Sequence, residues 1–83
     1  MLAPDAKILD VGAGGGTYYK LLGPQYNWTA VEIWKESAEY IKQFYNTVYQ
    51  IDIRDFQYQE DYDLIIFGDI LEHLSVEDAK KVL

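Results

Sequence analysis

At 83 residues, with 7 Lys and Arg against 14 Asp and Glu for a net charge of −7 and no cysteine at all, the chain excludes several classes at once. A domain this short buries only about 60% of its unfolded surface, its acidity opposes a polyphosphate partner, and no disulfide framework, thiolate metal site or thiol nucleophile exists. A hydrophobic share of 49% with 25% charged residues fits one globular domain.

The chain begins MLAPDAKILDVG, which has no basic segment followed by an apolar one, and no later window is long enough to span a bilayer. A soluble cytoplasmic protein with no membrane partner is the expectation. Pro4 and Asp5 precede Ile8, Leu9 and Val11, a short apolar run with the character of a buried strand. Glycines at 12 and 14–16 break it, and Thr17–Leu22 then reads as a short helix stopped by Gly23 and Pro24. Residues 28–33 (WTAVEI) are β-branched and aromatic and predict a second strand. Trp34, Ala38, Ile41 and Tyr45 recur at helical spacing with charges between them, predicting an amphipathic helix over residues 35–45. A third strand is expected at 47–53 (TVYQIDI) and a fourth at 62–68 (YDLIIFG), whose four consecutive apolar residues suggest burial on both faces. Ser75 with Asp78 opens a last helix in the manner of a capping box. The alternation calls for a doubly wound, mainly parallel α/β sheet with right-handed crossovers. Ligands of such sheets sit beyond the carboxyl ends of the strands.

The loop in residues 8–22 (ILDVGAGGGTYYKLL) lies at one of those ends. Glycine there lets a ligand approach the backbone without a Cβ in the way and permits positive φ where a strand turns into a helix. A tight turn with no ligand is the plainer alternative. A phosphate-cradling P-loop needs Gly-Lys-Ser/Thr, whereas Gly16 is followed by Thr17 and Tyr18. The dinucleotide pattern GxGxxG matches at Gly12 and Gly14 but wants a third glycine where Thr17 stands. The pattern that fits is DxGxGxG: Asp10, Gly12, Gly14 and Gly16. In this the chain resembles the class I S-adenosylmethionine-dependent methyltransferases, whose first motif has this form.

Glu32 closes the second predicted strand 20 residues beyond Gly12. One carboxylate can accept from two adjacent ribose hydroxyls, so an acid there suits a nucleoside ligand, NAD included; taken alone, an acid at a strand end is more often a solvated or capping residue, and its distance from the glycine loop is what favours the ligand. The resemblance extends to IDIRDF (51–56) and to YDLIIFGDILEHL (62–74). It implies S-adenosyl-L-methionine as cofactor, a sheet of order 3-2-1-4, and a binding set of Asp10, Gly12, Ala13, Gly14, Gly16, Glu32, Ile33, Asp52, Ile53 and Asp69. Asp52 would accept from the adenine amino group and the Ile53 backbone N–H would serve a ring nitrogen; the alternative is an Asp-rich turn that also holds Asp55. Ile33 would pack on the adenine, with Trp34 either joining it or belonging to the helix core. Asp69 would meet the cofactor's ammonium, while Asp63 enters at the strand's far end, away from it.

His73, the only imidazole, stands where an acceptor could lose a proton to it, with Glu72 as a lesser candidate; the alternative is a helix cap or packing residue. One histidine and no cysteine exclude the common transition-metal sets. The family's sheet normally has seven strands and only four are readable. The expectation is therefore a single cofactor-binding domain over residues 1–83, incomplete on its C-terminal side, with a missing segment or partner chain covering the fourth strand's edge. The function implied is methyl transfer to a small molecule, nucleic acid being disfavoured by charge. A non-catalytic cofactor-binding or scaffold module and an NAD-binding domain are the alternatives.

Overall fold

The computed structural model describes residues 2–68. Four strands, β1 (Lys7–Val11), β2 (Asn27–Val31), β3 (Thr47–Tyr49) and β4 (Leu64–Phe67), form one sheet in the order β3-β2-β1-β4. Every pairing is parallel, with Ile8 opposite Trp28 and Leu64, and Thr29 opposite Thr47. The crossovers carry α1 (Thr17–Leu22) between β1 and β2 and α2 (Lys35–Ile41) between β2 and β3. This is the expected doubly wound topology, including its strand order.

The two inner strands are buried along four of their five residues, because each is flanked by strands and covered on its faces. One face carries Ile8, Ala30, Trp28, Ile41 and Tyr45, joined by the half-buried Tyr19 and Phe44. The other carries Leu9, Val11, Val31 and Ile53, with Phe56, Tyr62 and Phe67 at its margin. Trp28 anchors the first face: its side chain is inaccessible and its indole N–H donates to the Gly23 carbonyl at 2.9 Å, so burial leaves no polar atom stranded.

Several boundaries differ from the sequence expectation. The α2 helix ends at Ile41 rather than at 45, because the Asn46 N–H donates to Trp28 O and the Asn46 side chain accepts from Trp28 N, turning the chain into β3. Tyr45 N still donates to Ile41 O, so Tyr45 keeps the helical spacing that marked it as a core residue. The β3 strand stops at Tyr49, and Ile53–Asp55 forms a 3₁₀ turn instead of extending it. Trp34, 70% exposed at the start of α2, does not belong to the helix core.

The expectation of burial on both faces fails for β4. Ile65 is exposed and Leu64, Ile66 and Phe67 are only half-buried, because β4 is an edge that pairs with β1 alone among the described residues. Asp63 sits at the amino end of the sheet, accepting from Lys7 N at 2.8 Å and donating its own N–H to Lys7 O. That is the end opposite the glycine loop, as its place before the strand implies. Asp69, Glu72, His73 and the helix expected after Ser75 lie outside the described residues.

Candidate functional site

The carboxyl ends of β1 and β2 bring the glycine loop and Glu32 into direct contact. Glu32 is 3% exposed, and both of its carboxylate oxygens accept from backbone: Oε1 from Gly14 N at 2.7 Å and Oε2 from Trp34 N at 3.0 Å. A carboxylate has about four lone-pair directions, so both oxygens retain acceptor capacity. Glu32 thus ties the loop to the second strand, a task that its sequence position did not reveal.

The loop itself is shaped by two glycines in particular. Gly14 has φ +56, and among the described residues a Cβ built there would meet nothing within 4 Å; the same holds at Gly15. Glycine suits such a left-handed backbone, and the absence of a Cβ leaves it approachable from that side. Gly16, φ +78, opens α1, and a Cβ there would touch the Tyr45 ring at 3.5 Å. Ala13, by contrast, is buried in the first core cluster, so its side chain supports the loop from beneath.

Asp10, one residue before the end of β1, has no accessible surface. Its Oδ2 accepts from the Tyr45 hydroxyl at 2.6 Å, whereas Oδ1 is buried without a partner among the described residues. Desolvation pushes the Asp10 carboxyl up to about 6, opposed by the Tyr45 hydrogen bond and assisted by the nearby Glu32 charge. Burial and the bond to Asp10 likewise push the Tyr45 hydroxyl well above its ordinary value. Tyr45 is the residue that sequence reading missed as part of the site: its spacing after Ile41 signalled core, and nothing in the pattern paired it with an acid 35 positions earlier.

The third strand end is arranged differently. Asp52 caps the 3₁₀ turn, accepting from Arg54 N at 2.9 Å, and its carboxylate receives the Arg54 guanidinium through Nε and Nη2, the latter at 2.7 Å. The hydrogen bonds to Arg54 hold the Asp52 carboxyl down at about 2. Ile53 buries its side chain against the second core cluster. Ile33, next to Glu32, is 49% exposed and presents apolar surface. Asp10, the glycines and Glu32 therefore form one contiguous constellation, Ile33 flanks it, and Asp52 lies on a separate, solvated turn.

A family model described as a methyltransferase domain matches residues 8–83. The chain belongs to that family. Among solved structures, this methyltransferase domain is similar to a TehB-like SAM-dependent methyltransferase from Corynebacterium glutamicum, with a TM-score of 0.78 and 26% identity over 99% of this chain and 47% of that one. A putative methyltransferase from Thermoplasma acidophilum matches with a TM-score of 0.67 and 26% identity, covering 98% of this chain and 39% of that one. The magnesium protoporphyrin IX methyltransferase of Synechocystis, solved with bound SAM, shares the fold at 20% identity with a TM-score of 0.72, over 95% and 42% of the two chains. No curated protein sequence matches the chain. The chain spans less than half the length of these structures.

The family's methyl donor is S-adenosyl-L-methionine. Two observations among the described residues fit that cationic group: no atom within 4 Å of a Cβ built at Gly14 or Gly15, and a buried carboxylate oxygen on Asp10 with no donor. Among the described residues no cluster of His, Cys, Asp and Glu is arranged to hold a metal ion, and no helix is long and apolar enough to cross a membrane.

Proposed function

We propose that this domain is the cofactor-binding half of an S-adenosylmethionine-dependent methyltransferase that acts on a small molecule in the cytoplasm. The observation that carries the reading is the Gly14–Glu32 junction: a left-handed glycine whose built Cβ would meet no described residue within 4 Å, its N–H fixed by a buried carboxylate at the next strand end. In this reading the loop from Gly12 to Gly16 receives the methionine portion, with Asp10 supplying a negative charge beneath it. Glu32 uses its remaining lone pairs for the ribose hydroxyls. Ile33 covers one adenine face, Asp52 and the Ile53 N–H address its edge, and Asp69 meets the ammonium.

When bound, the cofactor supplies an electrophilic methyl group on a sulfonium. What the chain adds is orientation and exclusion of water, an effect worth on the order of 7 kcal/mol or more when two reactants are held in line. His73 is assigned the acceptor's proton, because it is the only imidazole and follows the fourth strand in sequence. A small acceptor is favoured over nucleic acid by the net charge of −7, and the fold serves such acceptors elsewhere, the magnesium protoporphyrin IX enzyme among them.

The test is methyl transfer from labelled S-adenosylmethionine by the full-length protein, run beside binding of NAD. Transfer to a small-molecule pool with no NAD affinity supports the reading. Cofactor binding without any transfer would assign the domain to a non-catalytic module, and NAD binding in place of S-adenosylmethionine would overturn the reading altogether. Replacing His73 with Ala is expected to lower turnover and remove the acidic limb of its pH profile. Unchanged turnover and pH dependence on the true acceptor would dismiss the proton role.

A further inference from the structure

Tyr45 touches the glycine loop at both of its ends. Its hydroxyl reaches Asp10, the residue that precedes the loop by two positions, and its ring edge lies against Gly16, the residue that closes it. The ring is held by neighbours on two elements, Tyr19 of α1 and Trp28 of β2, each with its centroid 5.5 Å away. Only 4% of Tyr45 is exposed. A core tyrosine needs an acceptor for its hydroxyl, but a backbone carbonyl would serve that purpose with no charge to bury. Here the acceptor is a fully buried carboxylate whose second oxygen has no donor among the described residues. An unpaired acceptor in that position is costly in a domain with a thin stability margin unless something else uses it.

Resting on the cofactor-binding reading above, we propose that Tyr45 is a positioning residue of the methyl-donor site: its hydroxyl clamps Asp10 Oδ2, its ring backs Gly16, and Asp10 Oδ1 is thereby kept as a fixed acceptor for a cationic group of the cofactor. The charge state of Asp10 follows from the same contacts. Burial and the Glu32 carboxylate favour the neutral acid, and the Tyr45 hydroxyl opposes them, bringing the carboxyl to about 6. The groups facing Asp10 are Tyr45 from the segment after α2 and Glu32 from the end of β2, with Tyr19 of α1 packed on the Tyr45 ring. Without the hydroxyl, the two terms that favour protonation are left unopposed, and Asp10 loses its charge within the neutral range.

The experiment is Tyr45→Phe in the full-length protein, which keeps the ring and deletes the donor. Affinity for S-adenosylmethionine is measured by calorimetry from about pH 5.5 to about pH 8.5, a window that brackets the Asp10 titration. The wild-type affinity should fall below about pH 6. The variant's fall should begin about one pH unit higher, giving about a twofold loss at pH 7 that widens toward about tenfold below pH 6 and closes as the pH rises, as loss of a hydrogen bond to a charged group implies. Asp10→Asn should bind weakly with no such pH dependence, and adding Tyr45→Phe to it should cost little more. Superimposable pH profiles, or a loss of equal size at every pH, would overturn the proposal, since a merely structural tyrosine predicts the latter. The Asp10 carboxyl signal, followed by NMR without ligand, separates this idea from the reading beneath it. Its titration midpoint should rise in Tyr45→Phe even if the protein bound no S-adenosylmethionine, and an unmoved midpoint contradicts the clamp.

Discussion

The inner strands and the outer strands of this sheet treat their acids in opposite ways. At the ends of β1 and β2, Asp10 and Glu32 are buried, and between them they take up the Tyr45 hydroxyl and two backbone N–H groups. Beyond β3, Asp52 meets an exposed arginine on a solvated turn, and before β4, Asp63 merely joins the backbone of Lys7. A charge in a dry, fixed setting has large and specific effects, whereas one in water is screened. The inner pair is therefore where the proposed cofactor site places its fixed charges. The outer strands contribute edge and surface, and their apolar residues are only partly covered.

Core substitutions should expose this asymmetry most strongly. Trp28→Ala removes the largest inaccessible side chain and the donor to Gly23 O, and should cost about 3–5 kcal/mol, enough to unfold so small a domain. Ile65→Ala on β4, where the side chain is 38% exposed, should cost about 1 kcal/mol or less in urea denaturation. Equal losses would erase the distinction between the two regions.

The second contrast is in pH. Asp10 has a folded-state value of about 6, above its ordinary 3.8, so between those values the folded protein binds more protons than the unfolded chain. Stability should consequently fall as pH rises through that window, by up to about 3 kcal/mol, and Asp10→Asn should lack the fall. Asp52 has the opposite sign. Its carboxyl is lowered to about 2, so its contribution is present above the ordinary value of 3.8 and is lost as the pH drops toward 2.

Smaller effects should follow from the polar contacts. Glu32→Gln replaces one of two acceptor oxygens by a donor that faces a backbone N–H, and should cost about 1–3 kcal/mol in thermal unfolding. Arg54→Ala breaks an ion pair whose arginine side chain is 51% exposed, and should cost less than about 1 kcal/mol, diminishing further in high salt.

The elements were legible in the sequence because the features that set them are local, namely apolar runs, a glycine cluster and a helical repeat, while their order in the sheet came from the resemblance to the methyltransferases. Asp10, Gly14 and Glu32 were legible for the same reason, as spacings. The length of β3 was not, because Asp52 diverts the chain by capping a 3₁₀ turn with its own side chain, a competition that strand propensity does not register. The exposure of Ile65 was hidden by a four-residue apolar run that reads as buried whatever covers it. Tyr45 escaped because its role depends on a contact across the fold. Helical spacing shows that a residue faces the core, but not which buried carboxylate it will meet there.

The most direct measurement is a calorimetric titration of S-adenosylmethionine into the wild-type protein and into Gly14→Val. The built Cβ at Gly14 meets no described residue within 4 Å, so the fold should survive with a strain of about 1–2 kcal/mol from the left-handed backbone. The added side chain should nevertheless block the approach to the loop, and saturable binding by the wild type should disappear in the variant while its thermal transition is retained. Undiminished affinity in a folded Gly14→Val protein would contradict the placement of the cofactor on this loop.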